Sequence, residues 1–199
     1  IRCHMHALGL ATGTLIGNSI GGGVAVGMAL THPDRVSRLV LIDSLPDHVR
    51  ERLVSPLMQR ALNTSVPAWL ARFGALFVGN RTMEAVLKEI IYDHTLVTPA
   101  VLDRSNRNRQ RKDMITPLMS LRDSLPLWEQ HFAPRLKEIR HPTLILWGEQ
   151  DRLFPPQVGR DLQTTIPQAR LIMIPEAGHI PQWEQPQVVN RHITEFLQP

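Results

Sequence analysis

The sequence predicts an α/β fold, in which a mostly parallel β-sheet is flanked by helices and carries a helical insertion. Short apolar runs with the length of buried strands alternate with helical stretches at both ends of the chain. A serine set among glycines directly follows one of these runs. The middle of the chain lacks β-branched runs and shows several helical patterns instead.

The beginning of the chain alternates helix and strand. Ile1, Met5 and Leu8 share one helical face, and Gly9 is a typical residue for the end of that helix. The run "GTLIGN" is bounded by turn residues, as expected of a buried parallel strand, and the stretch that follows the serine is apolar on all sides, as in a buried helix. The predicted elements are a helix over 1–9 and strands over 13–18 and 36–42, with a helix over 21–30 between the strands.

The end of the chain repeats this alternation. Val189, Ile193, Phe196 and Leu197 lie on one face of the last stretch, which predicts an amphipathic closing helix. The predicted elements are strands over 143–147 and 170–174, a helix over 156–166 between them, and the closing helix over 186–197.

The middle of the chain predicts a helical cap inserted between two strands. Thr98-Pro99 places a capping hydroxyl before a proline at a first helical position. Trp69, Phe73 and Phe77 recur four residues apart, which favours a cap core, with the lining of an apolar acyl pocket as the alternative. We therefore assign residues 1–45 and 126–199 to the core of the fold and residues 46–125 to the cap.

Composition limits the partners that we expect. A chain of 199 residues with 43% hydrophobic residues can bury the core of one domain, and no apolar run is long enough to span a membrane. The net charge is +4, but 5% aromatic content and the lack of a basic stripe argue against nucleic-acid binding. The single Cys3 cannot form an internal disulfide, which favours a reducing, cytoplasmic location.

The stretch "IGNSIGGG" contains the pattern G-x-S-x-G around Ser19. A glycine-rich flexible turn would explain it, but the strand before it and the helix after it favour a nucleophile elbow. In such an elbow the serine backbone is strained, and side chains at the positions of Gly17 and Gly21 are expected to clash with neighbouring elements. The amide of Ile20 would then donate to an oxyanion on a bound carbonyl.

A nucleophilic serine needs a base and an acid that orients the base. His179 follows the predicted strand 170–174, in the loop before the last helix. Asp151 follows the strand "LILWG", with room for one helix and one strand before His179. Asp43 also ends a strand and is the rival acid, but a capping role explains it equally well, so we favour Asp151.

Metal and cofactor chemistry is not expected. His4 and His6 are two residues apart, which could suit a metal ion, but no carboxylate or cysteine cluster accompanies them. A hydrolase of the serine type requires no cofactor, and its partner would be a small-molecule acyl substrate.

The motifs "LIGNSIGG", "HPDRVSRLVLIDS", "PTLILWGEQDRLFP" and "AGHIPQWEQP" together resemble the α/β-hydrolase superfamily over essentially the whole chain. The resemblance implies that Ser19 is the nucleophile, Asp151 the acid and His179 the base of a triad. It also implies that the Ile20 amide forms half of the oxyanion hole. Haloalkane dehalogenases and epoxide hydrolases carry an aspartate nucleophile, so the serine argues against both branches.

A narrower resemblance is to the meta-cleavage-product hydrolases, which cut a carbon–carbon bond in dienoate ring-fission products. Their elbow reads GNS, one residue, then GG, as here with Asn18, and "QWE" after the histidine also matches. The resemblance implies that Asn18, Arg104, Ile180 and Trp183 contribute to substrate binding. Ile180 stands where that family usually has tryptophan, so esters, lactones and thioesters stay open as substrates.

Other roles for these residues compete with substrate binding. Arg104 lies in the run "DRSNRNRQRKD", whose basic residues could simply form a solvated helix face, whereas an inward Arg104 or Arg107 would pair with a substrate carboxylate. Asn18 could equally hold the elbow in shape. Trp183 and Trp147 are expected to pack beneath the catalytic loops.

The resemblance further implies that several strands of a full-length hydrolase, and the loop with the second oxyanion donor, lie upstream of Ile1. The strand "TLIGN" would then present an unpaired edge. We expect either that a separate upstream polypeptide completes the sheet or that the isolated fragment is inactive, and a homodimer stays open. The competing functional class is a non-catalytic protein that uses the hydrolase fold for binding or assembly.

Overall fold

The computed structural model describes residues 1–63, 80–109 and 115–198. The predicted cap-core residues Trp69, Phe73 and Phe77 lie outside these residues. In the described part, a parallel sheet is flanked by helices, as the alternation of apolar runs predicts.

The sheet has four strands, all parallel, in the spatial order β1-β2-β3-β4. Sequential strands are neighbours, so all four carboxyl ends lie at one edge. The sequence-predicted strands agree with the observed ones to within one residue at each end. The strands are β1 Gly13–Asn18, β2 Val36–Ile42, β3 Thr143–Gly148 and β4 Ala169–Ile174.

Helices connect the strands and form the insertion. Within the described residues, no helix combines the length and the apolar character needed to cross a bilayer. The helices are α1 Arg2–Ala7, α2 Ile20–Thr31, α3 Val49–Arg52, α4 Pro56–Asn63, α5 Asn80–Ile90, α6 Pro99–Arg109, α7 Ile115–Leu127, α8 Pro156–Thr165, α9 Pro181–Glu184 and α10 Pro186–Leu197.

The core lies on both faces of the sheet, because successive side chains of a strand point to opposite faces. Leu39 and Leu41 of β2 join the larger apolar cluster, to which α2 and α8 contribute. Val40 and Ile42 join a second cluster, against which α10 packs with the fully buried Val189. Leu197 was predicted on the apolar face of the closing helix, but it is 38% exposed at the helix end, whereas Phe196 beside it packs against the second cluster.

The insertion returns to the core through a continuous helical segment. Helix α7 runs to Leu127 and continues into a π-helical turn, Trp128–Phe132, so the predicted cap boundary at residue 125 falls within helix. The indole of Trp128 donates to the carbonyl oxygen of Pro46 over 2.7 Å. This bond joins the start of the insertion to its end, and the division into core and cap stays a prediction.

Candidate active site

Ser19 occupies the sharp turn between β1 and α2. Its backbone has φ 53° and ψ −118°, a conformation that non-glycine residues adopt only under strain. The turn is fixed by hydrogen bonds, because the Ser19 amide donates to the Ile42 carbonyl over 2.9 Å and the Ser19 carbonyl accepts from Gly22 over 3.0 Å. The strand–turn–helix context predicted for a nucleophile elbow is therefore present.

The glycines around Ser19 differ in whether a side chain would fit at their position. A Cβ at Gly17 would lie 2.2 Å from the carbonyl oxygen of Gly21, so the expected clash is confirmed there. The same expectation is wrong for Gly21, where a Cβ would meet nothing within 4 Å. The crowded position of the helix is Gly22, whose Cβ would lie 2.1 Å from the hydroxyl oxygen of Ser44.

Ile20 is the first residue of α2, so its amide has no acceptor within the helix. Its side chain is 40% exposed. An amide at this place is available to a bound oxyanion, and its role in an oxyanion hole stays a prediction.

Asp151 and His179 form a buried pair. The Oδ2 atom of Asp151 lies 2.9 Å from Nδ1 of His179, and both side chains are almost completely buried. The other oxygen, Oδ1, accepts the amides of Leu153 at 2.7 Å and Phe154 at 3.2 Å. The carboxylate is thus held by backbone donors while it orients the imidazole.

Asn18 joins the serine turn to the loop that carries the histidine. Its Nδ2 atom donates to the carbonyl oxygens of Ile42, at 3.1 Å, and His179, at 3.0 Å. The Nε2 atom of His179, on the ring side away from Asp151, is buried and has no hydrogen-bond partner among the described residues. Because Ser19 directly follows Asn18, the elbow and the His179–Asp151 pair meet at the same edge of the sheet. Among the described residues, the Ser19 hydroxyl makes no hydrogen bond to His179.

Asp43, the rival acid, lies in the same cluster. Its carboxyl is fully buried, and Oδ1 accepts the Gly148 amide over 2.9 Å, whereas Oδ2 has no partner among the described residues. Ligand atoms of Asp43, Asp151 and His179 all lie within 4.8 Å of one another. Burial, followed by the nearby charge of Asp151, raises the pKa of Asp43 well above its ordinary value.

Two carboxylates and an imidazole are also a donor set that a divalent cation accepts. Here, however, both oxygens of Asp151 already accept hydrogen bonds from protein donors, and Nδ1 of His179 is turned to one of them. A cation would have to displace these bonds. The arrangement therefore suits an acid–base pair better than a metal centre.

Glu184 fixes the loop that carries His179, a role that the sequence analysis missed. Its Oε1 accepts the Gly178 amide at 2.7 Å, and its Oε2 accepts the amides of Tyr92 at 2.7 Å and Asp93 at 3.0 Å. The segment after α5 is thereby tied to the segment before α9. The only sequence signal for this role is the acidic residue of "QWE", which has no meaning without the fold.

Glycine allows the same two segments to approach closely. A Cβ at Gly178 would lie 2.6 Å from the carbonyl oxygen of Ile90. That carbonyl accepts the His179 amide over 2.8 Å. The glycine before the histidine in "AGH" is the sequence feature that could have indicated this contact.

The arginines predicted for substrate binding lie on the exposed surface of α6. Arg104 is exposed and has no recorded contact with Ser19, Asp151 or His179 among the described residues. Arg107 is exposed and paired with Asp103 one helical turn away. Their arrangement matches the solvated helix face, and a role for Arg104 in substrate binding stays a prediction.

Trp147, Trp183 and Ile180, which were predicted near the catalytic loops, differ in their burial. Trp147 is fully buried and donates to the carbonyl of Phe154, so its predicted place beneath the catalytic loops is confirmed. The same prediction is wrong for Trp183, which is 41% exposed because it lies on the outer side of the short helix α9. Ile180, at the start of that helix, is half-buried.

An open apolar cleft with a volume of about 210 Å³ begins beside the serine turn. Helix α2 forms one wall, and the end of α7 with the following π-helical turn forms the other. The lining residues are Ile20, Gly23, Val24, Gly27, Leu45, Ser124, Leu125, Leu127, Trp128 and Phe132.

Comparison with curated proteins finds hydrolases of dienoates. The chain is 29% identical over 198 residues to a 2-hydroxy-6-oxo-6-phenylhexa-2,4-dienoate hydrolase of Burkholderia cepacia, covering 99% of this chain and 66% of the relative. It is 30% identical over 194 residues to a 2-hydroxy-6-oxononadienedioate/2-hydroxy-6-oxononatrienedioate hydrolase of Burkholderia vietnamiensis, covering 97% and 65%. The chain thus spans just under two thirds of the length of these relatives.

Comparison with solved structures gives the same fold. A mutant of the meta-cleavage product hydrolase CumD superposes with a TM-score of 0.73 at 25% identity, covering 97% of this chain and 67% of that protein. An esterase of Thermogutta terrifontis superposes with a TM-score of 0.68 at 26% identity, covering 98% and 68%. Residues 1–186 match the model of the α/β hydrolase fold family. Since this match extends over most of the sequence and agrees with the observed topology, the chain belongs to the α/β hydrolase fold family.

Proposed function

We propose that the whole protein is a serine hydrolase that acts on a carbonyl substrate through Ser19, His179 and Asp151. The observation that carries this proposal is the buried 2.9 Å contact between His179 and Asp151 at the sheet edge where the strained Ser19 turn also lies. A binding protein would have no need to bury such a pair beside a strained serine.

In the proposed reaction, Nε2 of His179 takes the proton of the Ser19 hydroxyl as the serine oxygen attacks the substrate carbonyl carbon. Asp151 keeps the imidazole in the right tautomer and stabilises its positive charge. The Ile20 amide donates to the developing oxyanion. His179 then gives its proton to the leaving group, and a water molecule, deprotonated by His179, releases the acyl group and restores Ser19.

The substrate class that we favour is a dienoate ring-fission product, cut at a carbon–carbon bond next to a ketone. Support comes from the names of the relatives of Burkholderia cepacia and Burkholderia vietnamiensis, both of which are dienoate or related hydrolases. The cleft beside Ile20 offers an apolar surface to the hydrocarbon part of such a substrate.

Ester hydrolysis is the second candidate, and Ile180 favours it. The meta-cleavage-product hydrolases usually carry tryptophan directly after the histidine, where this chain has an aliphatic side chain. Similarity to the Thermogutta terrifontis esterase is of the same order as similarity to CumD.

Turnover of a 2-hydroxy-6-oxo-dienoate and of p-nitrophenyl esters by the whole protein tests the proposal. We expect hydrolysis of the dienoate to exceed that of the esters, and Ser19→Ala to abolish both. Activity on the esters alone would move the substrate to the second candidate. Activity that survives Ser19→Ala, or no turnover of either substrate class, would contradict the serine hydrolase.

A further inference from the structure

Asp43 is a buried carboxyl for which the proposed mechanism has no use. It directly follows β2 and is next in sequence to Ile42, whose carbonyl accepts the Ser19 amide. Its backbone has φ 38°, which is unusual for a residue other than glycine. A fully buried carboxyl on a strained backbone lowers the stability of the fold. Its presence beside the candidate site therefore indicates a functional role.

Asp151 takes part in more hydrogen bonds with protein donors than Asp43 does. Asp151 accepts the amides of Leu153 and Phe154 and pairs with His179. Asp43 accepts the amide of Gly148, and no donor among the described residues reaches its Oδ2, whereas the carboxyl of Asp151 lies within hydrogen-bonding reach of the Asp43 carboxyl. This division of hydrogen bonds favours the negative charge on Asp151 and a neutral Asp43.

The charges that act on Asp43 favour the same distribution. Burial is the main cause that raises the pKa of Asp43, and the nearby acidic groups of Asp151 and Glu184 raise it further. His179 is the only basic group of the cluster, and it is turned to Asp151. Two carboxylates this close cannot both be ionised without a large energetic cost, so they share one charge.

We propose that Asp43 is a second positioning carboxyl for His179, which stays neutral while Asp151 is charged and takes over the negative charge when Asp151 cannot carry it. One ligand atom each of Asp43, Asp151 and His179 lies within 4.8 Å of the others, so the Asp43 carboxyl is near enough for its charge to act on the imidazole. In the intact cluster the charge moves with the single carboxyl proton, which passes from Asp43 to Asp151. In Asp151→Ala, Asp43 instead gives this proton to the solvent and stays as the carboxylate beside the imidazole.

The proposal deepens the proposed function and rests on it, since it assumes that His179 is the base for Ser19. Its test uses the rate at which a fluorophosphonate labels Ser19 in the whole protein, which requires no knowledge of the substrate. The variants are Asp151→Ala, Asp43→Asn and the double variant. The matched control is Asp161→Asn, a surface carboxylate on α8 that pairs with Arg52.

We expect non-additive losses. Asp43→Asn alone should slow labelling only several-fold, because Asp151 still pairs with His179. The asparagine side chain keeps a donor and an acceptor but cannot become charged. In the Asp151→Ala background the same change slows labelling by at least about tenfold more, since the last carboxylate near His179 is then lost. Equal losses in both backgrounds would overturn the proposal, whereas a wild-type protein that is not labelled at Ser19 would overturn the proposed function instead. Asp161→Asn should have the same small effect in either background.

Two spectroscopic measurements separate this role from a merely structural one. The low-field proton resonance of the His179 Nδ1–H should persist in Asp151→Ala and disappear in the double variant. Its disappearance in both would overturn the proposal.

The second measurement remains informative if Asp151→Ala does not fold. The infrared carbonyl band of a protonated carboxyl should be present in the wild type at neutral pH and absent from Asp43→Asn. If the two spectra are the same, Asp43 is not the neutral partner and the proposal fails.

Discussion

Asn18 shows how a single side chain holds the candidate site together. Its amide group donates both to the end of β2 and to the backbone of His179, so it fixes the distance between the serine turn and the histidine loop. From the sequence, substrate binding and support of the elbow were equally open for Asn18. The observed bonds favour support, because the donors of the side chain are already used.

Replacement of Asn18 by alanine should therefore reduce stability. We expect the free energy of unfolding to fall by about 1–3 kcal/mol, since the His179 carbonyl loses its bond from Asn18 and the Ile42 carbonyl keeps only the Ser19 amide. Urea denaturation followed by circular dichroism measures this loss. Thr14→Ala is the control on the same strand, because the Thr14 hydroxyl shares a single exposed hydrogen bond with Ser37 among the described residues. It should change stability by less than about 0.5 kcal/mol. Equal losses of stability in Asn18→Ala and Thr14→Ala would contradict the supporting role of Asn18.

The glycines of the elbow provide a second test at single residues. Gly17→Ala places a Cβ 2.2 Å from the Gly21 carbonyl oxygen, a backbone atom that cannot rotate away. We expect it to cost at least about 2 kcal/mol of stability. Gly21→Ala meets nothing within 4 Å and should be neutral or stabilising by up to about 1 kcal/mol, because alanine favours a helix more than glycine does. Thermal unfolding of both variants measures the difference, and a larger loss for Gly21→Ala would contradict the described turn.

The secondary-structure elements differ in how far the sequence determines them. The strands were predicted to within a residue because each is a short apolar run bounded by glycine, proline or a polar turn. The part of α10 before Leu197 was predicted for a similar reason, since its apolar face has helical spacing. The roles of Gly22, Asp43 and Glu184 could not be predicted, because each depends on a neighbour that is distant in the sequence. The exposure of Trp183 was missed because a short helix carries too few residues to define a buried face.

The loop between β4 and α9 depends on Glu184. Its carboxylate accepts the amides of Gly178, Tyr92 and Asp93, so Glu184→Gln leaves one amide or more facing a donor instead of an acceptor. We expect a loss of about 1–3 kcal/mol of stability and slower labelling of Ser19, because His179 is less well held. Denaturation and labelling rates measure the two effects. The control is Glu176→Gln, a change at an exposed residue of the same loop. Equal losses of stability and labelling rate in this control would contradict the role of Glu184 in holding the loop.

At the scale of the whole molecule, the sheet separates two apolar clusters, and its carboxyl edge gathers the polar residues. Ser19, Asp43, Asp151 and His179 follow β1 to β4 in that order. A parallel sheet with Ser19, Asp151 and His179 at one edge was expected from the alternation of strands and helices together with the serine motif. The electrostatic coupling between Asp43 and Asp151 was not predicted, because it depends on how deeply both carboxyls are buried.

The pH dependence of stability should report the neutral state of Asp43. The pKa of Asp43 is raised in the folded protein, so above the ordinary value of 3.8 the unfolded chain loses this proton first, and the group's contribution to stability is lost as pH rises towards the raised pKa. Each pH unit in this window costs up to about 1.4 kcal/mol. Asp43→Asn should therefore gain in stability relative to the wild type as pH rises above 3.8, as measured by urea denaturation at several pH values.

Asp161 provides a comparison of opposite sign. The hydrogen bond from Arg52 lowers its pKa below the ordinary 3.8, so its contribution to stability is present above that value and is lost as pH falls through the lowered pKa. Asp161→Asn should thus be the less stable variant at neutral pH, by a small amount because the pair is partly exposed. Parallel pH profiles of Asp43→Asn and Asp161→Asn would contradict this account.

The most direct measurement is the site and rate of fluorophosphonate labelling of the whole protein, located by peptide mass spectrometry. A nucleophile activated by the histidine–aspartate pair should carry the adduct on Ser19 and lose it in Ser19→Ala. His179→Ala should slow the labelling by at least about a hundredfold. An adduct on another residue, or a rate that His179→Ala leaves unchanged, would show that the elbow and the imidazole do not act together.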